Sequence, residues 1–398
     1  MKILRMDIEG FRSLKDVTWT PGDLNVVIGP NGAGKSNLLR ALELLAVSAE
    51  GRLGKYVQNR GGIDPLVWDG AVDTISFRVK ASPVDASRDI ERDSLTYEVD
   101  LARLGPTSAF RLGHELLGNY HKVEQGLSHQ PFKFLERRGL NAKVFDESEH
   151  GLVAPEESLS EEETLLSMAA GPFATNKLIP PFRSQLAAWR VYHDVHVNRD
   201  APIRQSATAR LEKRLDPDGQ NLVCVLHTLY TGDRDFKRDI DSAMRAAFGD
   251  DYDELVFPPA ADQKIQLRIR WKTLHREQSA ADLSDGTLRF LLLLTALVSP
   301  SAAPVVAIDE PETGLHPAMF PIIAEHAVDA AERVQVILTT HSPQFLDAFG
   351  ETRPTTTVAR WEQGESILKT LDGAALDDWL REFSLGSLFR TGELEAMA

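Results

Sequence analysis

Eight consecutive residues, Gly29-Pro-Asn-Gly-Ala-Gly34-Lys35-Ser36, restrict this chain more than any other part of it. They match the pattern G-x-x-x-x-G-K-[ST] without a mismatch. An apolar, β-rich run (24–28) precedes them. Residues 36–47 follow, with Leu38, Leu39, Leu42, Leu45 and Ala46 at helical spacing. Glycines let successive backbone N–H groups curl around phosphate oxygens, and the N-terminus of the next helix adds partial positive charge. The pattern predicts strand, phosphate loop and helix in that order. Asn31, Gly32, Ala33, Gly34, Lys35, Ser36 and Asn37 are the expected nucleotide-binding residues. Lys35 should reach the β- and γ-phosphates, and Ser36 should ligate Mg²⁺.

The last third continues the alternation. Helices are predicted over 286–298 and 317–331, and apolar strands over 305–308 and 334–338. Such alternation builds a mostly parallel sheet flanked by helices, so the expected fold class is α/β. Residues 3–8, 74–79 and 94–101 alternate apolar and polar, which predicts a β-rich edge. Residues 105–205 carry Gly and Pro breakers and an acidic run at 156–163. A helix is predicted there over 159–169, with Ser160 as N-cap and Glu163 completing a capping box. Residues 185–191 read as helix or strand. Helices over 221–229 and 235–248 and a strand over 265–271 complete the pattern. Three parts result: 1–105 with the phosphate loop, an inserted helical lobe at 106–220, and 221–398 with the remaining motifs.

Charge and composition narrow the function. The net charge is −15 at pH 7. A chain that coats nucleic acid with its whole surface would be basic, so any such contact is confined to a local patch. The densest positive stretch holds Arg183, Arg190, Arg199, Arg204 and Arg210, with Trp189 and Tyr192 interleaved. The same residues also fit a mixed surface over buried aromatics. A single cysteine, Cys224, excludes a disulfide framework and a cysteine-built metal site. The most apolar stretch, 290–298, is far shorter than a membrane span, and the N-terminus has no apolar leader. A soluble, cytoplasmic protein without a membrane partner is expected.

Three further segments carry chemistry. Val305-Val-Ala-Ile-Asp309-Glu310 is four apolar residues followed by two carboxylates. Asp309 suits a Mg²⁺ contact, direct or through a coordinated water, and Glu310 can orient and deprotonate an attacking water. Leu283-Ser284-Asp285-Gly286-Thr287 opens the 286–298 helix. It reads as a plain capped start or as a second anion site, which in a head-to-tail dimer closes on the other subunit's γ-phosphate. His341 follows a strand and Thr339-Thr340, at the carboxyl end where sheet ligands bind, so it lies where a γ-phosphate would be. His316 reads as a structural residue or one at the dimer seam.

In this order GPNGAGKS, LSDGT, VVAIDEPETGLHP and TTHSP resemble the Walker A, signature, Walker B with D-loop, and switch-histidine motifs of ATP-binding-cassette (ABC) P-loop ATPases. The opening Asp7-Ile-Glu-Gly-Phe11-Arg-Ser13 resembles the start of RecF, SMC and OLD-type heads. Arg60-Gly-Gly62, Asp218-Gly-Gln-Asn-Leu222 and the tail 384–394 resemble bacterial ATPases of the RecF/SMC-like AAA group. LSDGT, where transporters have LSGGQ, fits that branch. The resemblance implies a P-loop NTPase of ABC/RecF-like type, with ATP and Mg²⁺ as cofactors. It also implies Glu310 and His341 as catalytic residues, Ser36 and Asp309 on the metal, Ser284 and Gly286 on the nucleotide, and a homodimer formed on ATP. Gln58 lies in the region of the glutamine loop.

The 246 residues between Ser36 and Leu283 hold no sustained heptads, so an SMC-type coiled coil is not expected. The 57 residues after His341 are too few for the Toprim nuclease domain of OLD-type proteins. The implied function is an ATPase of DNA repair, recombination or anti-phage defence, with DNA as a partner. The alternative is a regulatory ATPase that controls a separate nuclease or toxin without binding DNA.

Overall fold

The alternating segments near the N-terminus pair in an antiparallel sheet of eight strands. Their order is Leu14–Trp19, Ile3–Phe11, Thr74–Ala81, Leu95–Arg103, Phe110–Asn119, Phe132–Arg138, Asn141–Asp146 and Gly151–Val153. Register sets Ile8 opposite Phe77 and Phe77 opposite Val99, and all three are buried. Period-two alternation thus fills one face with core residues. Phe11 and Phe77 meet edge to face at 5.3 Å. Helix Lys35–Glu50 packs on helix Ile179–Ala187, and Phe182 of the latter lies 6.1 Å from the Tyr97 ring of the sheet.

This computed structural model describes residues 1–398 except 71, 106, 156, 157, 170–175 and 302. Two units divide the chain, each built from separated segments. The first holds Met1–Gly22, Gly29–Trp189 and Thr357–Thr370; the second holds Asp23–Ile28, Arg190–Thr356 and Leu371–Ala398. The division differs from the expected boundaries at 105/106 and 220/221. Leu95–Arg103 pairs with Phe110–Asn119 across the first of them, so four strands of the expected helical lobe complete the antiparallel sheet.

Local expectations between 105 and 205 also change. The helix expected over 159–169 is one turn, Leu165–Met168, capped by Thr164. Ser160 Oγ accepts from the N–H groups of Glu162 and Glu163 instead. The Glu163 carboxylate caps a different helix, Leu53–Asn59, by accepting from Leu53 N and Gly54 N at 3.0 Å each. Residues 156 and 157 of the acidic run lie outside the described residues. The 185–191 segment splits into the end of helix Ile179–Ala187 and the start of strand Arg190–Tyr192.

In the second unit four strands run parallel, in the order Arg190–Tyr192, Val305–Asp309, Gln335–Thr340 and Leu24–Ile28. The last three are apolar runs with almost every residue buried, as strands covered on both faces must be. Helices Leu222–Gly232, Arg234–Phe248, Asp285–Val298 and Phe320–Ala331 belong to this unit. Asp233 caps the second of them, accepting from Asp235 N and Phe236 N. The strand expected over 265–271 is two: Ile265 pairs with Ala207 and Pro259, whereas Arg268–Trp271 pairs with Tyr252–Val256. Among the described pairings these parallel ones join strands of the second unit, and the eight-stranded sheet is antiparallel. Among the described residues no helix is long and apolar enough to cross a membrane.

Buried Glu115 ties the first unit together. Its carboxylate accepts from Leu165 N, Leu166 N and Tyr97 Oη at 2.6, 2.8 and 2.9 Å. The adjacent Thr164 donates to the carbonyl of Ser48 in helix Lys35–Glu50. Glu115→Leu strands two buried N–H groups and should lower the unfolding free energy by about 2–4 kcal/mol in urea titrations. The exposed Arg138→Ala should stay within about 0.5 kcal/mol of wild type. A Glu115→Leu loss below about 1 kcal/mol would mean that those N–H groups find other acceptors.

Candidate nucleotide site

The phosphate loop turns at glycines, and space as well as conformation requires one of them. Gly34 has φ 98°, and a Cβ there would come within 2.1 Å of Ser366 Oγ. Ser366 belongs to the hairpin Thr355–Glu362/Glu365–Thr370 and donates to Ser13 Oγ at 2.6 Å. Ser13 Oγ also accepts from Asn37 Nδ2 at 2.7 Å, so Ser13, Asn37 and Ser366 buttress the loop. Asn31 and Gly32 are exposed, while Ala33 is buried and its N–H closes a turn on Pro30 O at 3.2 Å. Lys35 is buried, and its Nζ donates to the carbonyls of Gly29 and Pro30 at 2.9 and 3.1 Å. Ser36 is half-buried in the first turn of helix Lys35–Glu50. No side chain caps that helix and its first turn holds no acid, which leaves its positive end to an outside anion.

The second unit gathers the acidic residues and the histidine. Asp309 lies opposite Thr339, and Thr340 opposite Ile28. Three strands of the second unit therefore end at one edge. Asp309 Oδ1 accepts from Thr339 Oγ1. Glu310 adopts a left-handed conformation, φ 46°, held by donation from its N–H to Thr339 O and Oγ1 at 3.2 and 3.1 Å. Its Oε1 lies 2.9 Å from His341 Nδ1, and its Oε2 accepts from Thr313 Oγ1 at 3.3 Å. Both side chains reach solvent, at 31% exposure for Glu310 and 43% for His341. A carboxylate oriented by a histidine and open to water is equipped to take a proton from that water.

Two residues missed by sequence reasoning complete this edge. Arg289, on helix Asp285–Val298, donates to the Glu310 carbonyl at 3.4 Å. Burial lowers its pKa against the pull of Glu312, Asp309 and Glu310. Glu312 is buried and accepts from Thr340 Oγ1. A hydroxylic pair directly after an apolar strand, Thr339-Thr340, is the one sequence signal that pointed here.

The LSDGT segment is a capped helix start within its own chain. Ser284 Oγ accepts from Thr287 N at 3.1 Å and bonds Thr287 Oγ1 at 2.8 Å. Ser284 and Asp285 are exposed. A Cβ at Gly286 would meet Gly314 O at 2.7 Å, so only glycine lets the loop after Glu310 lie against this turn. Arg204 shapes the preceding loop. Only 7% exposed, it donates to the carbonyls of Val197, Asn198, Ala280 and Leu283 and to the Asp285 carboxylate.

The positive stretch thus loses its centre. Trp189 and Tyr192 are buried, Arg183 donates to Ala49 O, and Arg199 and Arg210 are the exposed members. His316 Nδ1 accepts from Ala318 N at 3.2 Å and caps the turn Pro317–Met319. Gln58 is exposed at the end of helix Leu53–Asn59.

Residues 24–347 match the family described as "AAA domain, putative AbiEii toxin, Type IV TA system". The OLD nuclease of Thermus scotoductus (strain ATCC 700910 / SA-01) is 20% identical over 421 residues, covering 99% of this chain and 69% of that protein. Among solved structures, an SMC head bound to the C-winged helix domain of ScpA matches with a TM-score of 0.58 at 12% identity, over 95% of this chain and 100% of that one. An SMC head domain with an extended coiled coil, bound to the C-terminal domain of ScpA derived from Pyrococcus furiosus, matches with a TM-score of 0.53 at 10% identity, over 96% and 98%. At these identities the likeness concerns the fold alone, that of an SMC head domain.

The Arg204 fan yields a direct test. Arg204→Leu should lower stability by about 3 kcal/mol, since several buried carbonyls lose their donor. Arg204→Lys should recover little, because one ammonium cannot replace a planar fork. Arg199→Ala should be neutral within about 0.5 kcal/mol. Equal effects of the Arg204 and Arg199 changes on unfolding would contradict the structural role of Arg204.

Proposed function

The chain belongs to the AAA-domain family matched over residues 24–347, and from that premise we propose that it is a cytoplasmic ATPase that pairs head to tail on ATP. Residues 31–37 hold the triphosphate, with Lys35 on its β- and γ-oxygens. Glu310 is the general base, oriented by His341. The observation that carries this reading is the solvent-open contact of Glu310 with His341 at 2.9 Å, beside Asp309 at the strand end. Ser36 and Asp309 offer a hydroxyl and a carboxylate, hard oxygen donors of the kind Mg²⁺ takes. Bound Mg²⁺ supplies charge neutralisation at the β- and γ-phosphates. Exposed Ser284 and the Gly286 turn are free to face the γ-phosphate of a second copy, a closed two-fold arrangement.

The pathway reading is DNA repair, recombination or anti-phage defence, supported by the likeness to a relative named as a nuclease. A second reading, control of a separate nuclease or toxin partner without DNA contact, is favoured by the net charge of −15 and by the buried Arg204, Trp189 and Tyr192. A filter-binding titration with and without ATP decides between them. DNA contact should weaken steeply with salt as counterions are released, whereas no retention at low salt leaves the protein-partner reading.

Lys35→Ala should abolish ATP binding. Glu310→Gln should bind ATP, turn it over about 10²–10⁴-fold more slowly, and elute as a dimer with ATP and Mg²⁺. Normal ATP affinity in the first variant, or wild-type turnover in the second, would overturn the assignment.

A further inference from the structure

We propose that Glu312 is a positioning residue for His341: its buried carboxyl group holds Thr340, and through Thr340 the turn that presents His341 to Glu310. The proposal deepens the hydrolysis reading and rests on it for its kinetic consequence. Successive strand residues point to opposite faces, so Thr339 and Thr340 reach different partners. Thr339 bonds Asp309 and the N–H of Glu310. Thr340 Oγ1 donates to Glu312 Oε1 and accepts from Ser342 N at 2.9 Å. Its single proton therefore goes to Glu312 and a lone pair serves the backbone just past His341. Ser342 Oγ in turn caps helix Pro343–Asp347 through Phe345 N. His341 is flanked on both sides by groups that this one hydroxyl fixes, and its Nδ1 meets Glu310 Oε1.

Packing alone does not call for a carboxyl group at 312. Glu312 is 7% exposed, and its Oε2 has no hydrogen-bond partner among the described residues. Burial raises its pKa, with the Thr340 bond as the leading opposing cause. An under-satisfied buried carboxyl group costs free energy, and an apolar residue of similar volume is often as stable or more so. What an apolar residue cannot do is accept the Thr340 proton. On the far side, Arg289 holds the Glu310 carbonyl, so Glu310 is restrained by its own backbone and His341 by Glu312.

Steady-state ATPase kinetics and ¹⁵N-histidine spectra of the full chain test this together. Glu312→Leu should lower kcat about 10- to 100-fold, as small misplacements of catalytic groups do, with KM for ATP within about twofold. Glu312→Gln should recover most of the loss, because its amide oxygen still accepts from Thr340. Thr340→Val should reproduce the Leu loss and carries the test if Glu312→Leu fails to fold. In wild type the His341 imidazole should carry its proton on Nδ1, toward Glu310; in Glu312→Leu and Thr340→Val it should shift toward the Nε2–H form. His341→Gln assigns the resonance. Unchanged kcat and tautomer in Glu312→Leu, equal losses in the Leu and Gln variants, or a rise in KM alone would overturn the proposal. A wild-type chain without ATPase whose tautomer still responds to Glu312→Leu would sink the hydrolysis reading and leave the positioning role standing.

Discussion

Parallel pairing of Val305–Asp309, Gln335–Thr340 and Leu24–Ile28 sets Asp309 opposite Thr339 and Ile28 opposite Thr340. A slip of one residue would turn Thr339 away from Asp309 and carry each apolar side chain to the opposite packed face. These strands are buried on both sides, so apolar burial alone does not single out the register; the polar contacts of Thr339 with Asp309 and Glu310 at the strand ends do. From it follow the two threonine hydroxyls that bind the acidic segment to the histidine turn, and the left-handed Glu310 whose N–H returns to Thr339.

The LSDGT turn depends on that edge from another direction. Gly286 approaches the Gly314 carbonyl too closely for any side chain, and Arg289, one turn on, reaches the Glu310 carbonyl. Arg204 fastens the loop before the turn by gathering carbonyls that converge on one planar donor. The segment proposed to face a second copy is thus held by contacts within its own chain, and its helix reaches the Glu310 carbonyl through Arg289.

The phosphate loop, the strands at 305–309 and 335–340 and the helix opening at Ser284 were legible in the sequence because their constraints are local. Each is, or directly adjoins, an apolar run bounded by glycine, proline or a capping hydroxyl within a few residues. Arg204 was read as part of a positive stretch because its acceptors at Ala280 and Leu283 lie 76 and 79 residues away. Glu163 looked like a capping-box acid for its own helix, but it caps one 110 residues earlier. Phe110–Asn119, beyond the boundary expected at 105, was hard to read for the same reason: it pairs with Leu95–Arg103 on one side and with Phe132–Arg138 on the other. Glu312 was unreadable since its partner, Thr340, is 28 positions on.

In the proposed dimer, one subunit's phosphate loop works with another subunit's LSDGT turn. Mixing Lys35→Ala with Ser284→Arg tests it most directly, with ATPase followed against the ratio of the two variants. Each alone should be inactive. In the mixed dimer one site pairs an intact loop with an intact turn, and the other carries both lesions. ATPase should therefore reappear on mixing and peak near equal amounts. Full activity of Ser284→Arg by itself, as a monomer, would contradict the account and reduce LSDGT to a capped helix start.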